Sequence, residues 1–138
     1  MAIQDVVDEL AATIGAVTDM HKRRALEYPP DQIAQETAII RLAPGGEWYV
    51  ESAGSYRSLH NLIIEIYRPF KDLARDIEAL MAYADSVPLA ILADVTLGGS
   101  CDTYERLVPN GVTISSYAGV SMVLISWTLE NIKIRGTL

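Results

Sequence analysis

The sequence feature that most constrains the fold is a long uncharged segment, residues 107–129. A segment of this length could span a membrane as a helix. However, it contains Pro109, Asn110 and two glycines, and its apolar residues alternate with a period of two. This alternation is typical of β-strands rather than of a helix. We therefore interpret the segment as buried strands, with turns at Asn110-Gly111 and Ala118-Gly119, and expect no membrane association.

The last predicted strand, residues 120–134, is apolar on both of its faces. One face carries Val120, Met122 and Leu124, and the other carries Val123, Ile125, Trp127 and Leu129. A strand that is apolar on both faces must be covered on both faces. Two helices can cover one side of a small sheet. The other side then requires a second copy of the chain, a partner protein, or the long loop expected at residues 18–36.

Two amphipathic helices are predicted. The first covers residues 3–17, where apolar residues recur at helical spacing and Asp5 lies near the positive end of the helix dipole. The second begins at Pro69, because proline suits the first position of a helix. Pro88 is expected to interrupt it, with residues 89–93 forming one further turn. Its predicted apolar stripe is Leu73, Ile77, Leu80, Met81 and Ala84, and its predicted solvent-facing residues are Lys71, Asp72, Arg75, Asp76 and Glu78.

The remaining elements are strands. Residues 37–42 form one strand, the turn Pro44-Gly45-Gly46 leads to a hairpin arm at 48–50, and residues 56–67 form a long half-buried strand. Three more strands are expected around 102–107, 112–117 and 120–134. This order predicts a single α+β domain over residues 1–138. Its sheet is mainly antiparallel, with about four to five strands and both helices on one face.

Composition narrows the functional classes. The chain has 138 residues, 11 basic against 18 acidic side chains, and a net charge of −7. Such a balance disfavours general nucleic-acid affinity, which depends on phosphate neutralisation by Lys and Arg. The start has no basic region typical of a secretory signal, and the single cysteine, Cys101, allows no intramolecular disulfide. A reducing cytoplasm is therefore expected.

No motif in the sequence predicts a catalytic, cofactor-binding or metal-ligating residue. Gly45-Gly46 and Gly98-Gly99 lack the Lys-Ser/Thr that a phosphate-binding loop requires. His21, His60 and Cys101 share no metal-ligand spacing, and a passive role is favoured for Cys101. The Lys22-Arg23-Arg24 cluster, flanked by acidic residues, is interpreted as a solvated loop. A small enzyme or ligand-binding domain stays an alternative, because residues distant in sequence can assemble a pocket.

Two segments resemble the tail terminator (tail-completion, minor tail) proteins of long-tailed bacteriophages. Residues 94–101 read Asp-Val-Thr-Leu-Gly-Gly-Ser-Cys after a proline-led helical turn, and residues 117–120 read Tyr-Ala-Gly-Val before a long apolar strand. The resemblance implies a non-enzymatic ring, typically a hexamer. Such a ring caps the tail tube protein, ends tube polymerisation and docks the head–tail connector or stopper. It also implies a location in the neck of the virion tail, and in the host cytoplasm during assembly.

The resemblance further implies that double-stranded DNA passes through the ring without sequence-specific binding. Six bodies of this size would leave a central opening of roughly 30 Å, and an acidic lumen would not hold phosphate. Another neck component, a connector or stopper, is the alternative within the virion. The predicted subunit and partner contacts are Trp48, Tyr49 and Val50 on the arm, Thr96, Leu97, Gly98, Gly99 and Asp102 in one loop, and Trp127 on the last strand. The alternative for Trp48 and Tyr49 is that they fold back on the core, and for the other residues an ordinary core or turn position.

Overall fold

The strands form one sheet, and helices cover one of its faces. The computed structural model describes residues 2–17, 25–26 and 29–138, so the Lys22-Arg23-Arg24 cluster and His21 lie outside the described residues. The elements in chain order are α1 (Ile3–Val17), β1 (Ala25–Leu26), β2 (Thr37–Leu42), β3 (Glu47–Ser52), β4 (Ser55–Pro69), α2 (Leu73–Met81), α3 (Tyr83–Leu92), β5 (Arg106–Tyr117) and β6 (Val120–Thr137). The predicted α+β class is confirmed. The sheet order is β1-β2-β4-β6-β5, with β3 also beside β4, and only the short β1–β2 pair is parallel.

The long strands β4 and β6 form the centre of the sheet, and β2 and β3 pair in succession with the same edge of β4. The hairpin predicted around residues 44–46 is therefore wrong, since β3 forms its hairpin with β4 instead. The chain passes so close to β4 at Gly46 that an added Cβ would lie 2.2 Å from the carbonyl oxygen of Leu59. Gly46 also has a φ of +95°, which favours glycine. The close approach and the positive φ at Gly46 together return the chain to the edge of β4 with which β2 has just paired.

Segment 107–129 forms a long hairpin with a bulge rather than two hairpins. The two strands predicted at 102–107 and 112–117 are one strand, β5, because Asn110 is the extra residue of a bulge between the pairs Pro109↔Trp127 and Gly111↔Ser126. Proline and a glycine at positive φ are typical of such a bulge. The predicted turn at Ala118 and Gly119 is confirmed, with positive φ at both residues. Burial is confirmed for the centre of β6, whereas β5 is largely exposed.

The main core lies between the helices and one face of the sheet. It contains Leu10 and Ile14 from α1, Ile91 from α3, and residues of β4 and β6 such as Ile64 and Trp127. The second predicted helix is two helices, which meet at Ala82. Its predicted start at Pro69 is wrong, because Pro69 still pairs with Met122 at the end of β4 and Asp72 caps α2.

The predicted helix break at Pro88 is also wrong. Pro88 lies inside α3, where Val87 and Ile91 are both buried against the core. Proline removes one helical N–H, and burial of the flanking apolar residues offsets that loss. The interruption occurs earlier, at Ala82, which no periodicity in the sequence indicates.

The predicted faces of α2 are only partly correct. Leu80 is buried, but Leu73, Ile77 and Met81 are exposed, while Asp76, predicted to face solvent, is only 2% exposed. The reason lies on β4, where Arg68 points at Asp76 and supplies the positive charge that a buried carboxylate needs.

The second face of β6 is covered by the chain itself. Met122 and Leu124 pack with Ile33, Ile39 and Tyr67, and the Tyr117 hydroxyl donates a hydrogen bond to the carbonyl of Pro30. Of the coverings considered from the sequence, the one observed is part of the expected loop, residues 29–36. This portion of β6 therefore does not itself require a second copy of the chain.

Candidate functional site

Among the described residues, the most exposed aromatic side chain near a sheet edge lies on what we call the arm, formed by β3, residues 55–60 of β4 and residues 132–137 of β6. Trp48 is 69% exposed and Val50 is 74% exposed. The Trp48 ring centroid lies 5.6 Å from that of Tyr56 and 5.4 Å from that of His60. Trp48, Val50, Tyr56 and His60 share one face of the sheet, which we call the aromatic face.

The register of β3 on β4 explains this arrangement. Trp48 lies directly opposite Ser58, whose small side chain leaves the indole beside the rings on either side. The Ser58 hydroxyl lies 2.9 Å from Nε2 of His60. Burial lowers the pKa of His60 below its ordinary value of 6.5, so the imidazole is neutral at pH 7. The aromatic face is therefore uncharged and mostly apolar, which is typical of a protein-binding surface.

The opposite face of the arm is charged. The guanidinium groups of Arg57 and Arg135 come from residues directly opposite each other on β4 and β6. Glu51 lies between them, with its Oε1 3.6 Å from Nε of Arg57 and 3.4 Å from Nε of Arg135. Arg57 also lies over the ring of Tyr49, 4.7 Å from its centroid. Glu51 thus offsets the repulsion between the like charges of Arg57 and Arg135 on neighbouring strands.

Residues 94–101 form a tight turn that packs against α1. The Asp94 carboxylate accepts hydrogen bonds from the backbone N–H of Gly98 at 2.7 Å and from Thr96. These bonds, chiefly the one from Gly98, lower the pKa of Asp94 below its ordinary value. Leu97 is buried in the core, and an added Cβ at Gly98 would lie 2.6 Å from the Glu9 carboxylate. The turn is therefore explained by its own hydrogen bonds and by its contact with α1.

Cys101 follows this turn and is buried. Burial raises the pKa of its thiol to about 11, and the nearby Asp102 and Asp94 add to the effect. The thiol is therefore protonated at neutral pH, whereas a nucleophilic cysteine requires the thiolate.

The structure joins some of the predicted contact residues and separates others. Nε of Arg135 also lies 3.6 Å from Oδ2 of Asp102, so Asp102 connects to Glu51 and hence to the arm. Thr96, Leu97, Gly98 and Gly99 instead belong to the turn beside α1. The predicted surface position of Trp127 is wrong, since Trp127 is only 2% exposed and lies in the core opposite Ile64.

Sequence reasoning missed most partners of the arm. Alternation along the edge strand could have separated Trp48 and Val50 from Tyr49 and Glu51, because successive residues point to opposite faces. No local signal could have joined Glu51 to Arg135, since only the pairing of β4 with β6 brings them together.

A second charged cluster holds residues 29–36 to the body of the protein. Arg68 donates from Nε to Oδ1 of Asp76 at 2.8 Å and from an Nη atom to Glu36 at 3.1 Å, and the Tyr83 hydroxyl also donates to Glu36. Oδ2 of Asp76 accepts the backbone N–H groups of Lys71 and Asp72 at 2.9 and 3.1 Å. The donors and acceptors of this cluster are hydrogen-bonded to one another, so its role is to attach residues 29–36 to α2 and β4.

Two further observations concern ligands and membranes. In the described ranges, no group of three or more His, Cys, Asp or Glu side chains is placed to hold a metal ion. None of the helices found in residues 2–17, 25–26 and 29–138 is long and apolar enough to cross a bilayer.

No protein-family model matches the chain, and no curated protein matches its sequence.

Proposed function

We propose that this chain is a structural subunit that assembles into a ring at the head-proximal end of a phage tail tube and ends tube polymerisation. The observation that carries the proposal is the exposed aromatic face of the arm, built on Trp48 and Val50. Aromatic side chains on a fixed scaffold are the typical anchors of protein interfaces. The pairing of β3 with β4 and of β4 with β6 holds the backbone of the arm in place before any partner binds, so little ordering is needed on assembly.

Two other features support a structural role in a DNA conduit. The net charge of −7 suits a surface past which DNA moves without binding. The Cys101 thiol is buried and protonated at neutral pH. The turn at 94–101 is held by its own hydrogen bonds and by its contact with α1. Neither feature needs a substrate to explain it. The resemblance of residues 94–101 and 117–120 to tail terminators points to the same role.

The proposal predicts that the same genome encodes a tail tube protein. It is tested by polymerising that protein with and without this chain and measuring tube lengths by negative-stain electron microscopy. The wild-type chain should stop tube growth and appear as a ring at one tube end. Trp48→Ala should lose this capping. Leu89→Ala, which truncates another exposed apolar residue on α3, is the matched control and should retain capping.

Tube growth that continues unchanged with the wild-type chain would overturn the proposal. The location of the protein in infected cells gives a second readout. We expect it on headless tails at the capsid-proximal end, whereas its presence on tailless heads alone would favour a head-side connector instead.

A further inference from the structure

The outer edge of β5 is a long, uncharged strand edge. Among the described residues, β5 pairs only with β6, and residues 107–117 carry no charge. Most of this strand is exposed, including Ile114 at 59%. Strand edges that stay unpaired usually carry lysine, proline or another feature that prevents pairing. Beyond the bulge, residues 111–117 carry none of these, so this edge is suited to receive another strand.

The strand β3 lies on the opposite side of the same sheet and is also an edge. Among the described residues it pairs only with β4. From β3 to β5 the path crosses β4 and β6, and every neighbouring pair on this path is antiparallel. If a second copy of the chain places its β3 beside β5, the directions continue to alternate. The new pair is then antiparallel, and the helices of both copies stay on the same side.

The side chains of the two edges complement each other on both faces. On the helix-covered face, Trp48 and Val50 of β3 would lie beside Val112 and Ile114 of β5, which pair with Ile125 and Val123 and so share that face. Apolar side chains that neighbour each other across a strand pair stabilise the sheet.

On the opposite face, β3 presents the carboxylates of Glu47 and Glu51, whereas β5 presents the hydroxyls of Thr113 and Ser115. Hydroxyl groups can donate to carboxylates, so acidic and neutral edges fit each other. Pairing β5 with the β5 of another copy would instead leave Trp48 and Val50 uncovered.

From these observations we infer that β5 of one copy binds the free edge of β3 of a second copy, so that the sheets of neighbouring subunits are continuous. Each copy carries both edges, and a head-to-tail contact of this kind closes into a ring when its rotation permits. β3 pairs with residues 55–59 of β4, while β5 lies across β6 from residues 61–69. Joined copies are therefore displaced along the strands, which corresponds to the strand tilt that closed sheets have. That the joined copies close into a ring rests on the proposed function. The pairing of β5 with β3 is argued from the two strand edges alone.

The pairing is tested by disulfide trapping between differently tagged chains. One chain carries Trp48→Cys or Val50→Cys and the other carries Val112→Cys or Ile114→Cys, so that every same-face combination is sampled. At least one mixture should form disulfide-linked heterodimers at more than about ten times the yield of either variant alone, because only paired Cα atoms come within about 7 Å. The native Cys101 is buried, and the unsubstituted chain measures its background.

A chain with both substitutions of the best pair should form a ladder of linked oligomers. As a second measurement, Ile114→Lys should lower the oligomeric fraction in mass photometry by more than about tenfold, because a lysine opposes edge pairing. Leu89→Lys on α3 is the control and should leave that fraction unchanged.

Several results would overturn the inference. These are cross-linking of Ile114→Cys with itself at the yield of the mixtures, oligomers of Ile114→Lys at the wild-type level, or the absence of heterodimers in every combination. The two proposals fail separately. Capped tubes without β3–β5 cross-links would support the proposed function and refute the strand pairing. Cross-linked oligomers that do not cap tubes would support the strand pairing and refute the proposed function.

Discussion

Replacing Asp76 by asparagine should destabilise the protein strongly, although the change removes no atom from the core. The Asp76 carboxylate uses one oxygen for Arg68 and the other for the N–H groups of Lys71 and Asp72. An amide keeps only one of these oxygens, and its NH₂ group must then face other donors. A hydrogen bond to a charged group contributes about 1.5–3 kcal/mol.

The structure also limits this loss. Arg68 keeps its contact with Glu36 at 3.1 Å, so its guanidinium is not left without a partner. We therefore expect Asp76→Asn to lower the free energy of unfolding by about 3 kcal/mol, at the lower end of the cost of breaking a buried ion pair. For a chain of this size, that loss corresponds to a decrease of about 10 °C in Tm.

The effect should depend on pH in a defined direction. Backbone N–H groups, chiefly that of Lys71, and the Arg68 guanidinium hold the pKa of Asp76 below its ordinary value of 3.8. A lowered pKa in the folded state gives a stabilisation that is complete above pH 3.8 and is lost as the pH falls through the folded pKa. The stability difference between wild type and Asp76→Asn should thus narrow in acid.

Urea unfolding followed by circular dichroism between pH 2 and 7 measures both quantities. Glu78→Gln removes one carboxylate charge from an exposed position of the same helix and should change stability by less than about 0.5 kcal/mol. If Asp76→Asn at pH 7 also stays within about 0.5 kcal/mol of wild type, or if its deficit is constant with pH, the assigned role of Asp76 is refuted.

Three further predictions concern stability and reactivity. Trp127→Ala should cost about 3–5 kcal/mol because the side chain is buried, whereas Trp48→Ala should cost about 1 kcal/mol, and thermal unfolding of both variants compares them. A Cβ added at Gly54 would meet no other atom, so Gly54→Ala should lower the free energy of unfolding by only about 1 kcal/mol, which reflects the positive φ of that residue. Gly46→Ala should cost at least about 2 kcal/mol more, because its Cβ would lie against the backbone oxygen of Leu59. Denaturant titrations that place the two glycine variants at equal stability would contradict this reason. Cys101 should react with a thiol reagent at pH 8 only after unfolding, because the thiol pKa is raised to about 11. The buried, protonated thiol of Cys101 contributes its full stabilisation below the thiol pKa of the unfolded chain. This stabilisation is lost as the pH rises through the folded-state pKa of about 11, because the unfolded chain ionises first.

Much of the fold could be predicted because it follows from local periodicity. The stripe of α1, the alternation of β4 and the turn at Ala118 and Gly119 are each visible within a few residues, and the structure has them where they were expected. The pair Asn110 and Gly111 shows the limit of this reasoning. Asn-Gly can form a hairpin turn or part of a bulge. Here it forms a bulge, because β5 pairs with β6 both before and after Asn110.

The candidate site was predictable in part. The aromatic pair Trp48-Tyr49 after a glycine-rich turn identified the arm that carries Trp48 and Val50, but the apolar character of Trp127 did not reveal whether it faced a partner or the core. Burial depends on what packs over a side chain, and α1 and α3 pack over the face of β6 that carries Trp127.

The sequence by itself determined α1, β2 and the long strands β4 and β6, the net negative charge and the apolar character of both faces of β6, because these depend on composition and on spacing along the chain. Only the tertiary structure decided that residues 29–36 cover the second face of β6, that Asp76 is buried beside Arg68, and that β3 and β5 form opposite edges of one sheet. The physical reason is that each of these depends on contacts between residues far apart in sequence, which are set by strand pairing and by the packing of helices on the sheet.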